Sequence, residues 1–254
     1  VGCAGHSQAG RLACRDECSA DKARTDPLMR ASRTPPIIEA PPAVTGLAAF
    51  IVLAHALRVF SPISWQGHML SLLSLQPDRF WAWAGQGAPG AVPYTSPVEA
   101  LVPFLTEAFL HDGWAAAILN AALIVIFGRL VHASLSIGRR SGAIPFLIVF
   151  SVAVMGGSLL HLLTQYPAGN GLIGASGGAS GLFAAWVLIQ EGRGGQILSK
   201  RFLVVFLFFV AVNLALWLMG PSLIGVRMSW QAHLGGFLAG ALMFQFYRAQ
   251  RRVL

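Results

Sequence analysis

Two serines four residues apart, Ser176 and Ser180, each sit in a Gly-Ala-Ser-Gly tetrapeptide at the head of an apolar stretch. A serine hydroxyl is a poor nucleophile until a base takes its proton, and histidine is the usual base. The oxyanion formed on attack needs aligned donors, typically an asparagine side chain and the serine's own backbone N–H. His233 in "SWQAHLGGFLAG" and Asn120 in "FLHDGWAAAILN" supply the other two residue types from equally apolar surroundings. The chemistry open to such a set is attack of a hydroxyl on a carbonyl carbon. No carboxylate completes it: from Gly113 to Leu254 the one acidic residue is Glu191, with Glu99, Glu107 and Asp112 at the outer rim. A Ser-His dyad is expected.

These residues must be positioned inside a membrane. The 254 residues are 55% hydrophobic and 11% charged, well short of the roughly 25% charge of soluble domains. Apolar segments run over about 43–61, 113–133, 143–164, 171–190, 202–219 and 229–247. Each approaches the ~20 residues a helix needs to cross ~30 Å of hydrocarbon, and backbone polar groups in lipid must be satisfied within the helix. The expected fold is an all-α polytopic membrane protein of six transmembrane helices behind a flexible tail. That tail, residues 1–42, is polar and broken by Pro35-Pro36 and Pro41-Pro42, too poor in apolar surface to order itself. Its Cys3, Cys14 and Cys18 read as reduced thiols.

Charge orients the bundle. The formal net charge is +8, but the basic residues flank apolar segments rather than interleave with aromatics, so nucleic-acid binding is not expected. Of 18 Lys and Arg, only Arg58, Arg79 and Arg227 fall on one side of a six-helix arrangement. The positive-inside rule then places both termini in the cytoplasm and the long connection 62–112 outside. That connection is rich in aromatics ("LSLLSLQPDRFWAWA") and is expected to form short amphipathic pieces.

Depth brings the three polar residues together. If helix 4 starts near Gly171, Ser176 lies five residues in, roughly 7 Å at 1.5 Å per residue. His233, after an outer start near Ser229, and Asn120, one turn or so deeper after Gly113, share that outer layer. Polar residues within a membrane are functional-site hypotheses by default. Gly174, Gly177, Gly178 and Gly181 on helix 4, with Gly235, Gly236 and Gly240 on helix 6, make faces that let two helices approach closely.

"GASGGASG", followed by "SWQAHLGGFLAG" and preceded by "FLHDGWAAAILN", resembles the rhomboid intramembrane serine proteases over about residues 70 to 245. The resemblance implies that Ser176, the first serine, is the nucleophile, that Ser180 lines the pocket or packs, that His233 is the general base, and that Asn120 is the oxyanion asparagine of an HxxxN pattern. Two positions depart from that family: Ala116 stands where its histidine precedes Asn120 by four residues, and Gly128 is followed by His132 rather than by the glutamate of a GxxxE. The implied activity is endoproteolysis of transmembrane segments near the outer face, in the lipid bilayer, with no cofactor. A bacterial inner (plasma) membrane is the expected location. The loss at Ala116 favours an alternative, a catalytically impaired rhomboid-like adaptor or chaperone. His111 is expected at the rim, His55 and His68 at the interface, and His161 as a weaker rival to His233 for the base. No metal site is expected, because no His-Glu-x-x-His or paired helical aspartates occur.

Overall fold

The computed structural model describes residues 40–136, 141–192, 196–223 and 228–250, with backbone alone for 220–223. The tail expected over 1–42 lies, up to Glu39, outside the described residues, as do its three cysteines and Arg227. All described residues fall in one unit, Ala40–Leu254.

Helix α1 (Pro42–Phe60) begins on a proline, whose fixed φ suits a first helical turn. It buries Val44, Ala48, Ile51, His55 and Arg58, a stripe at three- and four-residue spacing, and exposes Phe50, Leu53, Leu57 and Phe60 on the other face. In water such exposure would be costly; in lipid it is the compatible outer surface. The long connection folds into α2 (Ile63–Leu73), α3 (Pro77–Trp83), α4 (Pro97–Leu101), α5 (Pro103–Thr106) and a 3₁₀ turn at Glu107–Phe109, three of these helices opening on proline. Five longer helices follow: α6 (Trp114–Leu135), α7 (Ala143–Thr164), α8 (Ser176–Gln190), α9 (Lys200–Leu223) and α10 (Trp230–Gln250).

Six spans are expected from the apolar segments. By length and apolarity, four helices among the described residues are able to cross a membrane: α1, α6, α7 and the Lys200–Met219 part of α9. The other two are the most enclosed. Helix α8 has 15 residues and buries nine; α10 has 21 and also buries nine, four of them glycine or alanine at the α7 and α8 contacts beside His233 and Gln231. Helix α8 falls short by length, since it begins only at Ser176; α10 is long enough but less apolar, as a helix surrounded by protein is free to be.

The expected start of the fourth helix near Gly171 is corrected to Ser176. Residues 171–175 are not helical because Leu172 pairs in antiparallel fashion with Leu75 of the long connection, its N–H donating to the Leu75 carbonyl at 2.8 Å and accepting in return at 3.2 Å. Gly174 then turns the chain at φ 120°, a conformation closed to most side chains.

The core of the bundle is glycine against glycine. A Cβ added at Gly236 would overlap the Gly177 carbonyl, and one at Gly240 would overlap the Gly181 backbone. One at Gly181 would lie 2.8 Å from the Gly236 carbonyl oxygen. Helix α7 joins them through Gly156 and Gly157, the latter 2.5 Å from the Ala232 carbonyl oxygen by the same construction. Close backbone approach of this kind replaces the hydrophobic drive that is missing between helices in lipid. Helix α9 instead leans on the trio through rings: Phe202, Phe206 and Phe209 lie 5.5, 5.6 and 4.6 Å from Phe237 of α10.

Candidate active site

Ser176 is the first residue of α8, half-buried, and its hydroxyl makes no hydrogen bond to another described residue. The turn that delivers it is held from behind. The Gly174 N–H donates to the Glu107 carbonyl at 2.9 Å, and the Ala175 N–H donates to His111 Nε2 at 3.3 Å. His111 accepts there only as a neutral ring, and burial, with His55 and Arg58 close by, pushes its pKa down to about 4. Arg58 donates to the His111 carbonyl at 2.5 Å, so α1 braces the same corner. Glu107 is fully buried, which raises its pKa well above the carboxylate range against the pull of a Ser158 hydrogen bond.

Because Ser176 is the first helical residue, the N–H groups of Ser176, Gly177 and Gly178 point out of the helix start without intrahelical acceptors. The Ala179 N–H is the first to be claimed, by the Ala175 carbonyl at 2.9 Å. Asn120 sits on the inward face of α6, 8% exposed, its carboxamide without a hydrogen bond to another described residue. Ser180 lies one turn further along α8, also half-buried.

His233 is 7% exposed, in the first turn of α10, with Nδ1 2.5 Å from Asn213 Oδ1 of α9 and Nε2 without a hydrogen bond to another described residue. No hydrogen bond joins it to Ser176 among the described residues. What joins their helices is backbone: Gly177, next to Ser176, faces the carbonyl of Ala232, next to His233. Catalytic hydrogen bonds are often open before substrate binds. The expected rival, His161 of α7, has both nitrogens engaged, Nδ1 with Ser229 Oγ at 2.8 Å and Nε2 with the Asn170 carbonyl at 2.9 Å.

A Rhomboid domain family model matches residues 98–250. The chain belongs to the rhomboid family. It is 28% identical over 155 residues to Rhomboid-like protease 3 of Toxoplasma gondii, an alignment covering 58% of this chain and 51% of that protein. The matched region thus spans about half the length of that curated relative. With the family and its apolar helices, the chain is an integral, multi-pass membrane protein.

Within this rhomboid, the glycines named from the sequence divide into separate tasks. Gly177, Gly181, Gly236 and Gly240 make the α8–α10 contact; Gly178 instead meets the Phe150 ring of α7, and Gly174, beside the Ser176 hydroxyl, makes the turn. Three features escaped the sequence reading. Asn213 is the one carboxamide in "FLVVFLFFVAVNLALWLM", which was signal enough. Gly156-Gly157 inside an apolar helix was another. The Leu75–Leu172 pairing carried no local signal, since it joins residues 97 apart in sequence. Among the described residues no group of three His, Cys, Asp or Glu is placed to hold a metal.

Proposed function

We propose that this rhomboid is an intramembrane serine endopeptidase that cuts transmembrane segments of other membrane proteins near the outer face. Ser176 Oγ attacks the scissile carbonyl carbon while its proton passes to His233 Nε2. The tetrahedral oxyanion is held by Asn120 and by the N–H groups at the start of α8. Collapse breaks the C–N bond, and the leaving amine takes the proton from His233. Water then attacks the Ser176 ester, giving its proton to His233, and the acid product leaves as Ser176 regains a proton. The membrane domain spans six times, the enclosed α8 and α10 completing the count, with both termini cytoplasmic in a bacterial inner membrane. The rhomboid resemblance implies substrates with small residues at the cut and easily unwound helices.

The observation that supports this reading most is the unbonded Ser176 hydroxyl at the first position of α8, on a helix locked backbone to backbone with the one that carries His233. A fluorophosphonate probe added to protein in liposomes should label the wild type and not Ser176→Ala. A second reading, a non-catalytic adaptor, is favoured by Ala116, which removes one side-chain donor from the oxyanion site. Wild-type protein that neither takes the probe nor cleaves any transmembrane substrate would establish the adaptor.

A further inference from the structure

We propose that Asn213 of α9 is a positioning residue for this site, holding the His233 ring in the tautomer that leaves the Nε2 lone pair free. The inference rests on the reading of His233 as base. A carboxamide has one acceptor oxygen and a donor NH₂, and a flip exchanges them. Here the flip is blocked. Asn213 Nδ2 donates at 2.8 Å to the Phe209 carbonyl one turn back, which accepts only, so Oδ1 faces His233. Oδ1 also accepts only, so the 2.5 Å contact requires the proton on His233 Nδ1. A neutral imidazole has one N–H; Nε2 is therefore the basic nitrogen.

The register of two helices sets this contact. Phe202, Phe206, Phe209 and Asn213 occupy one stripe of α9. Phe209 stacks on Phe237 at 4.6 Å and 29°, and each ring stands four residues from its polar neighbour, Asn213 and His233. The ring stack thus fixes the height at which amide meets imidazole. Asn213 is 9% exposed. At that burial an unpaired carboxylate would be costly, whereas a carboxamide offers the same acceptor without charge. The expected dyad thereby gains a neutral third member.

The first test does not depend on activity. In ¹⁵N-histidine protein in liposomes at neutral pH, with His233 signals assigned by difference against His233→Gln, the shifts should show an Nδ1–H ring in wild type and a tautomer mixture in Asn213→Ala. A wild-type ring protonated on Nε2 would overturn the inference. Kinetics provide the second test. Asn213→Ala should lower kcat by about 10–100-fold, the worth of one buried hydrogen bond to a reacting group, with KM changed by less than about two-fold. Asn213→Asp should restore part of kcat, limited by the oxygen that replaces Nδ2 facing the Phe209 carbonyl, and move the acid limb of the pH profile upward, because a carboxylate beside Nδ1–H favours the imidazolium. Wild-type kcat in Asn213→Ala, or a loss that Asn213→Asp neither restores nor shifts in pH, would overturn the role. A wild type that cleaves nothing would instead sink the protease reading and leave the ¹⁵N result standing.

Discussion

The molecule holds two serine–histidine neighbourhoods on adjoining helices, and they are wired in opposite senses. His161 donates from Nε2 to the Asn170 carbonyl, and its Nδ1 lies 2.8 Å from Ser229 Oγ, whose hydroxyl also reaches Gln231 Oε1 at 3.1 Å. Ser229 in turn caps α10, its Oγ accepting the Ala232 N–H at 3.2 Å. Every polar atom of that pair is used to pin the 165–175 segment to α7 and α10. Among the described residues His233 is held by one nitrogen only, and the Ser176 hydroxyl by no partner. A serine beside a histidine is therefore no sign of catalysis; the clamp has spent its imidazole on fixed protein acceptors and donors, whereas the candidate site keeps one basic nitrogen and one hydroxyl uncommitted. Polar groups left uncommitted within a membrane bundle are functional-site candidates by default.

Mutations should separate the two neighbourhoods, most sharply at the reacting atoms. Ser176→Ala and His233→Ala should each reduce cleavage of a transmembrane substrate in liposomes to background, with the double variant no worse, because nucleophile and base act as a unit. Ser180→Ala should keep much of the activity. If His161→Gln were the dead variant and His233→Ala active, the assignment of clamp and base would be reversed.

Asn120→Ala should cost less, about 10²–10³ in kcat for one oxyanion donor. Turnover equal to wild type would leave the N–H groups of α8 as sole donors. Ala116→His offers the converse: a gain in kcat would show that the site runs short of side-chain donors.

At the clamp, effects should fall on stability. His161→Gln should lower the free energy of unfolding in detergent by about 1–3 kcal/mol through the buried partners it strands, and Ser229→Ala by about 1 kcal/mol through the lost cap. Cleavage per folded molecule should change far less than in the site variants. A His161→Gln protein of unchanged melting temperature would refute the clamp.

The smallest effect should come with pH, and from behind the nucleophile. His111 titrates near 4 in the fold against an ordinary 6.5. Its contribution is complete above about 6.5 and drains away as pH falls toward 4, when protonation of Nε2 would break the bond from the Ala175 N–H. Glu107 has the opposite sign: its neutral form contributes fully below its ordinary 4.5, and the contribution is lost as pH rises through its raised pKa. Thermal unfolding across pH should show both limbs, with Glu107→Gln flattening the alkaline one and His111→Gln the acid one.

Much of this was legible in one dimension. The apolar stretches with their inward stripes, such as Val44, Ala48, Ile51 and His55 on α1, follow from three- and four-residue spacing. The small-residue faces of α8 and α10 announced a close helix pair because only glycine lets backbones meet. Ser176, His233 and Asn120 stood out as polar residues where lipid forbids idle ones.

Three matters were decided in three dimensions. Where the helix of Ser176 begins depended on Leu75, 101 residues earlier, pulling Leu172 into an extended pairing and forcing the turn at Gly174. Which histidine was free depended on which carbonyls and hydroxyls the packing brought to each ring: composition gives His161 and His233 the same two nitrogens, and only their neighbours spend them. Which amide reached His233 depended on the register of α9 against α10, set by a stack of phenylalanines. Periodicity reports which face of a helix is buried, because that is a property of its own residues. The hydrogen bonds that assign a proton to one nitrogen or another belong to pairs of distant residues, and they exist only once the helices have been brought together.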